Sequence, residues 1–135
     1  MKYEITDITK TNSYGVKLRR IKALVSFNDV KAGDLGGWVQ CEDNLWQYGD
    51  CWIYDDASAF DGGRVDGDAQ ARGYAEIDDN AQIYERVVVK DHASVSGARI
   101  SGNIKISGYA RIQNVAISGD FEISGNAKIE GVTKK

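Results

Sequence analysis

From residue 41 onward, a mostly aliphatic or small side chain recurs at six-residue intervals: Cys41, Gln47, Ile53, Ala59, Val65, Ala71, Ile77, Ile83, Val89 and Val95. After one five-residue step the series continues at Ile100, Ile106 and Ile112, and after another at Ile117, Ile123 and Ile129. Two residues before each of these stands a second, mostly apolar or small set, running from Val39, Leu45, Cys51 and Ala57 to Phe121 and Ala127. The residue between the two is usually polar, as at Arg64, Gln70, Glu76, Gln82, Lys105 and Arg111. In–out–in over three residues is the signature of a short, half-buried strand.

Between these strands stand Gly, Asp, Asn and Ser, as in Ser101-Gly102-Asn103 and Ser124-Gly125-Asn126. Such residues tolerate the left-handed backbone that tight corners need. Each hexad is therefore one strand plus one corner, and three hexads close one triangular coil. The coils read 41–58, 59–76, 77–94, 95–111 and 112–128, the last two a residue shorter at the same corner. Stacked at the usual strand spacing, five coils make a prism about 24 Å tall. The absence of proline suits a continuous backbone ladder. Residues 2–9 and 16–27, joined through Thr11–Gly15, read as a β-hairpin that caps one open end. At the other end Lys134 and Lys135 are placed to discourage end-to-end growth. The expectation is one all-β domain over residues 1–135: a hairpin cap over 1–38 and a parallel β-helix of about five coils over 39–135.

Composition narrows the function classes. The longest apolar run is too short to cross a bilayer, and the N-terminus lacks the apolar core of a secretory signal. Neither a membrane nor an export role is expected. Two cysteines make neither a disulfide framework nor a four-ligand zinc site. The net charge of −3 argues against generic nucleic-acid binding. That charge is unevenly spread: residues 42–80 carry eleven acidic and two basic side chains, whereas both flanks are net positive. The acidic band is either a solvated face or a patch aimed at a basic partner.

The hexads resemble the hexapeptide-repeat family, whose members form left-handed triangular β-helices and commonly trimerise. The resemblance implies that handedness and a homotrimer. A second resemblance rests on Phe27-Asn-Asp-Val-Lys-Ala-Gly-Asp-Leu-Gly-Gly-Trp-Val39 and Gly49-Asp-Cys-Trp-Ile-Tyr-Asp55. These stretches resemble a group of phage and prophage proteins, in which a short β segment precedes a variable number of repeats. That resemblance implies a phage origin and action in the cytoplasm of an infected bacterium.

Candidate chemistry is sparse. His92 is the one histidine, in a corner slot filled elsewhere by Asp56, Asp68, Asn80 or Asn103. Acyltransferases of the hexapeptide family use a histidine as general base, which makes His92 the candidate catalytic residue of an enzyme reading. Its bland reading is a corner residue with no such role. Cys41 and Cys51 both fall on inward positions and read as small core residues. The scattered aspartates lack the calcium-solenoid pattern, so no metal or cofactor is expected. Trp46, Tyr48, Trp52, Tyr54 and Phe60 take outward slots around the first coils, with Tyr84 on the same side as Tyr48. They read as a partner or ligand surface, alongside Asp55, Asp66 and Asp78 of the acidic band, or, for Trp46 and Trp52, as side chains packed under the N-terminal hairpin. Lys17, Arg19, Arg20 and Lys22 of the hairpin would then neutralise phosphates. With a phage-type N-terminus and no catalytic constellation, the expected function is non-enzymatic. It is a counter-defence protein that binds or sequesters a host immune component, either a protein effector or a nucleotide signal. The alternatives are an acyltransferase-like enzyme and a structural or assembly protein of the virion.

Overall fold

The computed structural model describes residues 1–131, so Lys134 and Lys135 lie outside the described residues. Strands β1 (Tyr3–Thr11) and β2 (Lys17–Ala23) form the expected antiparallel hairpin, with a bulge between Ile5 and Thr9. β3 (Leu35–Val39) lies antiparallel to β2 and opens the solenoid. A single 3-10 turn, Glu42–Asn44, follows, and it is the one helical element among the described residues. The first full coil contributes β4 (Trp52–Ile53) and β5 (Ser58–Ala59). Then come β6 (Arg64–Val65), β7 (Gln70–Ala71), β8 (Glu76–Asp78), β9 (Gln82–Ile83), β10 (Val88–Val89) and β11 (Ser94–Ser96). The last coils hold β12 (Arg99–Ile106), β13 (Arg111–Gln113), β14 (Ala116–Ile123) and β15 (Lys128–Glu130).

These strands stack in parallel on three sides. The first side runs β3-β5-β8-β11-β13-β15, with the hairpin extending it beyond β3. The second stacks β6, β9 and the opening residues of β12 and β14, and Leu45 bridges Val65 one coil earlier. The third stacks β4, β7, β10 and the closing residues of β12 and β14. β12 and β14 therefore run through a corner without a break. The result is an all-β parallel solenoid of about five coils.

The coil shortening has a backbone cause. The corner after the first side uses two consecutive left-handed residues in the full coils, Asp61-Gly62 (φ 48° and 80°) and Asp79-Asn80 (φ 53° and 62°). In the shortened coils one such residue makes the turn, Gly97 (φ 63°) and then Asn114 (φ 52°). Losing one turn residue leaves the strands in register, so Val95 still pairs with Ile77 below and Ile112 above.

The inward positions form one column of fully buried Ala, Val and Ile, from Ala57 and Ala59 to Ala110 and Ile112. Tyr3, Ile21, Ala23 and Val30 close its N-terminal end. Lys2 is buried there too, its Nζ donating to the carbonyls of Cys51 (2.7 Å) and Gly49 (3.2 Å) and lying 5.1 Å from the Phe27 ring centre. At the opposite end Ile117, Ala127 and Ile129 are only half-buried, and Phe121 is exposed. Among the described residues no helix is long and apolar enough to cross a membrane.

Candidate functional site

His92 occupies the corner between the third and first sides. Its ring is exposed at the edge but held between two tyrosines of the neighbouring coils. Tyr74 stacks on one face at 4.9 Å between centroids and 2° between planes. Tyr109 stacks on the other at 5.0 Å and 4°. Coil spacing produces this ladder: the three residues are one coil apart, and the His92 N–H donates to the Gly108 carbonyl. His92 lines a groove of about 490 Å³ with Glu76, Ser94, Arg111, Lys128 and Tyr14. Burial pushes the Glu76 carboxyl above its usual range, and the nearby Asp78 charge adds to that. The groove thus combines an oriented imidazole, a carboxyl group and two cations.

The expected aromatic surface divides in two. Trp46 and Tyr48 are exposed, and Tyr84 is half-buried. Trp52 is buried, as the packing alternative had it, whereas Tyr54 and Phe60 are buried against the expected exposed surface. Their side chains do point away from the coil axis, but the N-terminal segment folds over those faces. Trp52 meets Tyr3 and Phe27 edge-on, at 6.1 Å and 5.4 Å. Phe60 packs with Leu18 and Trp38 on the outer face of the first side, and Tyr14 of the hairpin turn approaches it to 5.9 Å. Tyr54 lies under the loop between β2 and β3, donating its hydroxyl to Asp29 Oδ1 at 2.8 Å. Trp46 and Tyr48 escape cover, and their tilted rings sit 6.1 Å apart.

The three aspartates stand at three different corners and do not share a surface. Asp55 is an exposed corner residue whose carboxylate caps the Gly73 N–H at 3.1 Å. Asp78 sits at a different corner, half-buried, and desolvation holds its carboxyl above the usual range. Asp66 lies at the third corner and is 92% buried by its 8% exposure. Its Oδ2 accepts a 2.6 Å bond from Gln82, whereas its Oδ1 is buried without a hydrogen-bond partner. Of the hairpin cations Arg20 is engaged within the fold: it donates to the Gly36 carbonyl at 2.8 Å and approaches the Trp38 ring.

The cysteines also divide. Cys51 is buried as expected, and desolvation raises its thiol pKa against the pull of the Lys2 ammonium. Cys41 is exposed, because the chain leaves the coil there to enter the 3-10 turn, where the Cys41 N–H bonds Asn44 Oδ1. Among the described residues no three His, Cys, Asp or Glu side chains converge to hold a metal. Sequence reasoning missed Tyr74 and Tyr109 beside His92. Their spacing, one full coil before and one shortened coil after, was the available signal.

No protein-family model matches the chain. The chain is similar to the uncharacterized acetyltransferase YdcK of Escherichia coli (strain K12), with 34% identity over 74% of this chain and 31% of the relative. It therefore spans about a third of that relative's length. This similarity and the parallel solenoid together fit the hexapeptide-repeat β-helix superfamily. The similarity overturns the expected non-enzymatic counter-defence role, because the relative is named as an enzyme. It favours the acyltransferase-like alternative.

Proposed function

We propose that this chain is the solenoid part of an acyltransferase-like enzyme, which moves an acyl group from a coenzyme A thioester to a hydroxyl or amine. The posture of His92 carries the reading. Stacking between Tyr74 and Tyr109 fixes the ring plane and leaves its edge to a groove that also holds Arg111 and Lys128. A positioned imidazole of this kind accepts the acceptor's proton as the acceptor attacks the thioester carbonyl. A C–O or C–N bond forms, the C–S bond breaks, and the departing thiolate takes up a proton. Arg111 and Lys128 suit the phosphates of the carrier. A homotrimer, implied by the family resemblance, would place a neighbouring copy across this open groove and exclude water from it.

Calorimetry with coenzyme A, followed by free-thiol release from the acetyl thioester, tests the proposal. Binding is expected, with thiol release in the presence of a small amine or sugar. His92→Ala should slow that release by about a hundredfold or more, the usual contribution of a general base, while the protein stays folded. No binding at millimolar coenzyme A would remove this reading.

A further inference from the structure

A second cleft lies on another corner of the prism, remote in the coil from the His92 groove. It measures about 400 Å³ and is lined by Trp46, Tyr48, Asp66, Gln82 and Tyr84, with Asp68 and Glu85 beside them. These lining residues include three carboxylates and no lysine or arginine. Its floor is a column. Leu45 bridges Val65, and Val65 pairs with Ile83, so the residues that follow them, Trp46, Asp66 and Tyr84, stand on three successive rungs. Two aromatic side chains thus flank a short acid.

The spacing decides what fits. Rungs lie about 4.8 Å apart, so Trp46 and Tyr84 stand on rungs roughly 9.6 Å apart. That is the separation of the outer rings in a three-layer stack. The same solenoid fills such a gap elsewhere, where His92 sits between Tyr74 and Tyr109 at 4.9 Å and 5.0 Å. At the second corner the middle rung carries Asp66, which leaves room for one flat group above a carboxylate.

Charge decides the rest. Asp66 Oδ1 is buried and accepts no hydrogen bond; its ion pair with Arg64 Nη2 is long, at 3.8 Å, beyond hydrogen-bond reach. A carboxylate removed from water is weakly screened, so a cation in the slot gains more from it than from a hydrated surface acid. Aromatic faces on either side add cation–π attraction. Arg64 shows the same preference, pairing with Asp66 while its guanidinium lies 5.7 Å from the Trp46 ring centre.

We propose that the cleft between Trp46 and Tyr84 is a binding site for a planar organic cation, such as an amidine, a guanidine or a protonated amino-heteroaromatic. The proposal does not depend on the acyltransferase reading. Benzamidine is the probe, and benzamide is its neutral match in shape. Titration followed by the amide and Trp46 indole resonances should show saturable benzamidine binding at Trp46, Asp66 and Tyr84, and none for benzamide. Asp66→Asn keeps an acceptor for Gln82 and should weaken binding about tenfold or more. Tyr84→Leu keeps an apolar side chain, leaves Asp66 in place and should weaken it similarly. Equal binding of benzamide, full affinity in folded Asp66→Asn, or resonance changes confined to other surfaces would each overturn the proposal.

Discussion

At Gly63 the approach of the next coil leaves no room for a methyl group. A Cβ there would stand 2.0 Å from the Ile77 carbonyl oxygen and 2.5 Å from its carbon, both backbone atoms that cannot swing aside. Gly63 is also clamped from the other direction, since Asn44 Nδ2 donates to its carbonyl at 2.8 Å. Gly63→Ala should therefore destabilise the fold by about 2–3 kcal/mol in urea titration, the upper part of the range for an overpacked core. Gly15→Ala tests the contrary case: Gly15 has φ 81° in the hairpin turn, with nothing near its absent side chain. Only the backbone strain of a left-handed alanine is introduced there, and the cost should be about 1 kcal/mol. Equal losses at the two sites would mean that coil-to-coil crowding does not set the glycine requirement. The hexad pattern marks Gly63 as an inward small residue. It does not say that alanine, accepted at Ala57 and Ala69, is too large one step away, because that depends on how closely two backbones meet.

The N-terminal segment is held to the solenoid by a clip more than by strand pairing alone. Tyr54 reaches from the third side to Asp29 in the loop, Arg72 lies 3.4 Å from the other Asp29 oxygen, and the Arg72 guanidinium covers the Tyr54 ring at 3.7 Å. The Tyr54 hydroxyl is the main cause that lowers the Asp29 carboxyl pKa, with Arg72 helping. A carboxyl lowered in the folded state contributes stability above its unfolded pKa and loses it as pH falls through the folded value. Tyr54→Phe should thus cost about 0.5–1 kcal/mol at neutral pH, discounted because Asp29 is largely solvated. The gap between the two proteins should close under acid, and melting curves from pH 7 down to pH 2 check it. A gap that widens under acid would contradict the clip. The same loop explains where sequence reading stops. Strands, corners and coil lengths are legible because each hexad carries its own in–out–in alternation and turn residues. The burial of Tyr54 and Phe60 is not, because it depends on a hairpin and loop distant in sequence folding back over outward positions. Among the candidate sites, His92 stands out by rarity and its tyrosine partners by coil spacing. The buried Asp66 carboxylate stands out by neither, since its isolation follows only from the column it shares with Trp46 and Tyr84.

Along the prism axis the molecule is a stack in which each coil touches only its neighbours, so stability should vary with position. The N-terminal end of the column is sealed by Tyr3, Ile21, Val30 and the buried Lys2. Among the described residues the far end is less covered: Ile129 is half-buried, and seven of the eight residues of β14 are at least partly exposed. The same chemical deletion should then have two different effects in this 135-residue chain. Ile83 is fully buried in the middle of the column with a coil above and below it, and Ile83→Ala should cost about 3–4 kcal/mol, transfer and cavity effects together. Ile129 lies on the last described rung, where the site can relax into solvent, and Ile129→Ala should cost about 1–2 kcal/mol. Hydrogen exchange gives the matching readout without mutation. Amides of β14 and β15 should exchange by local opening, whereas those of β8 and β9 should exchange only with global unfolding. Uniform protection along the column, with equal losses for the two alanines, would mean that the coils unfold as one unit. The far end would then be as stable as the sealed one despite its thinner packing.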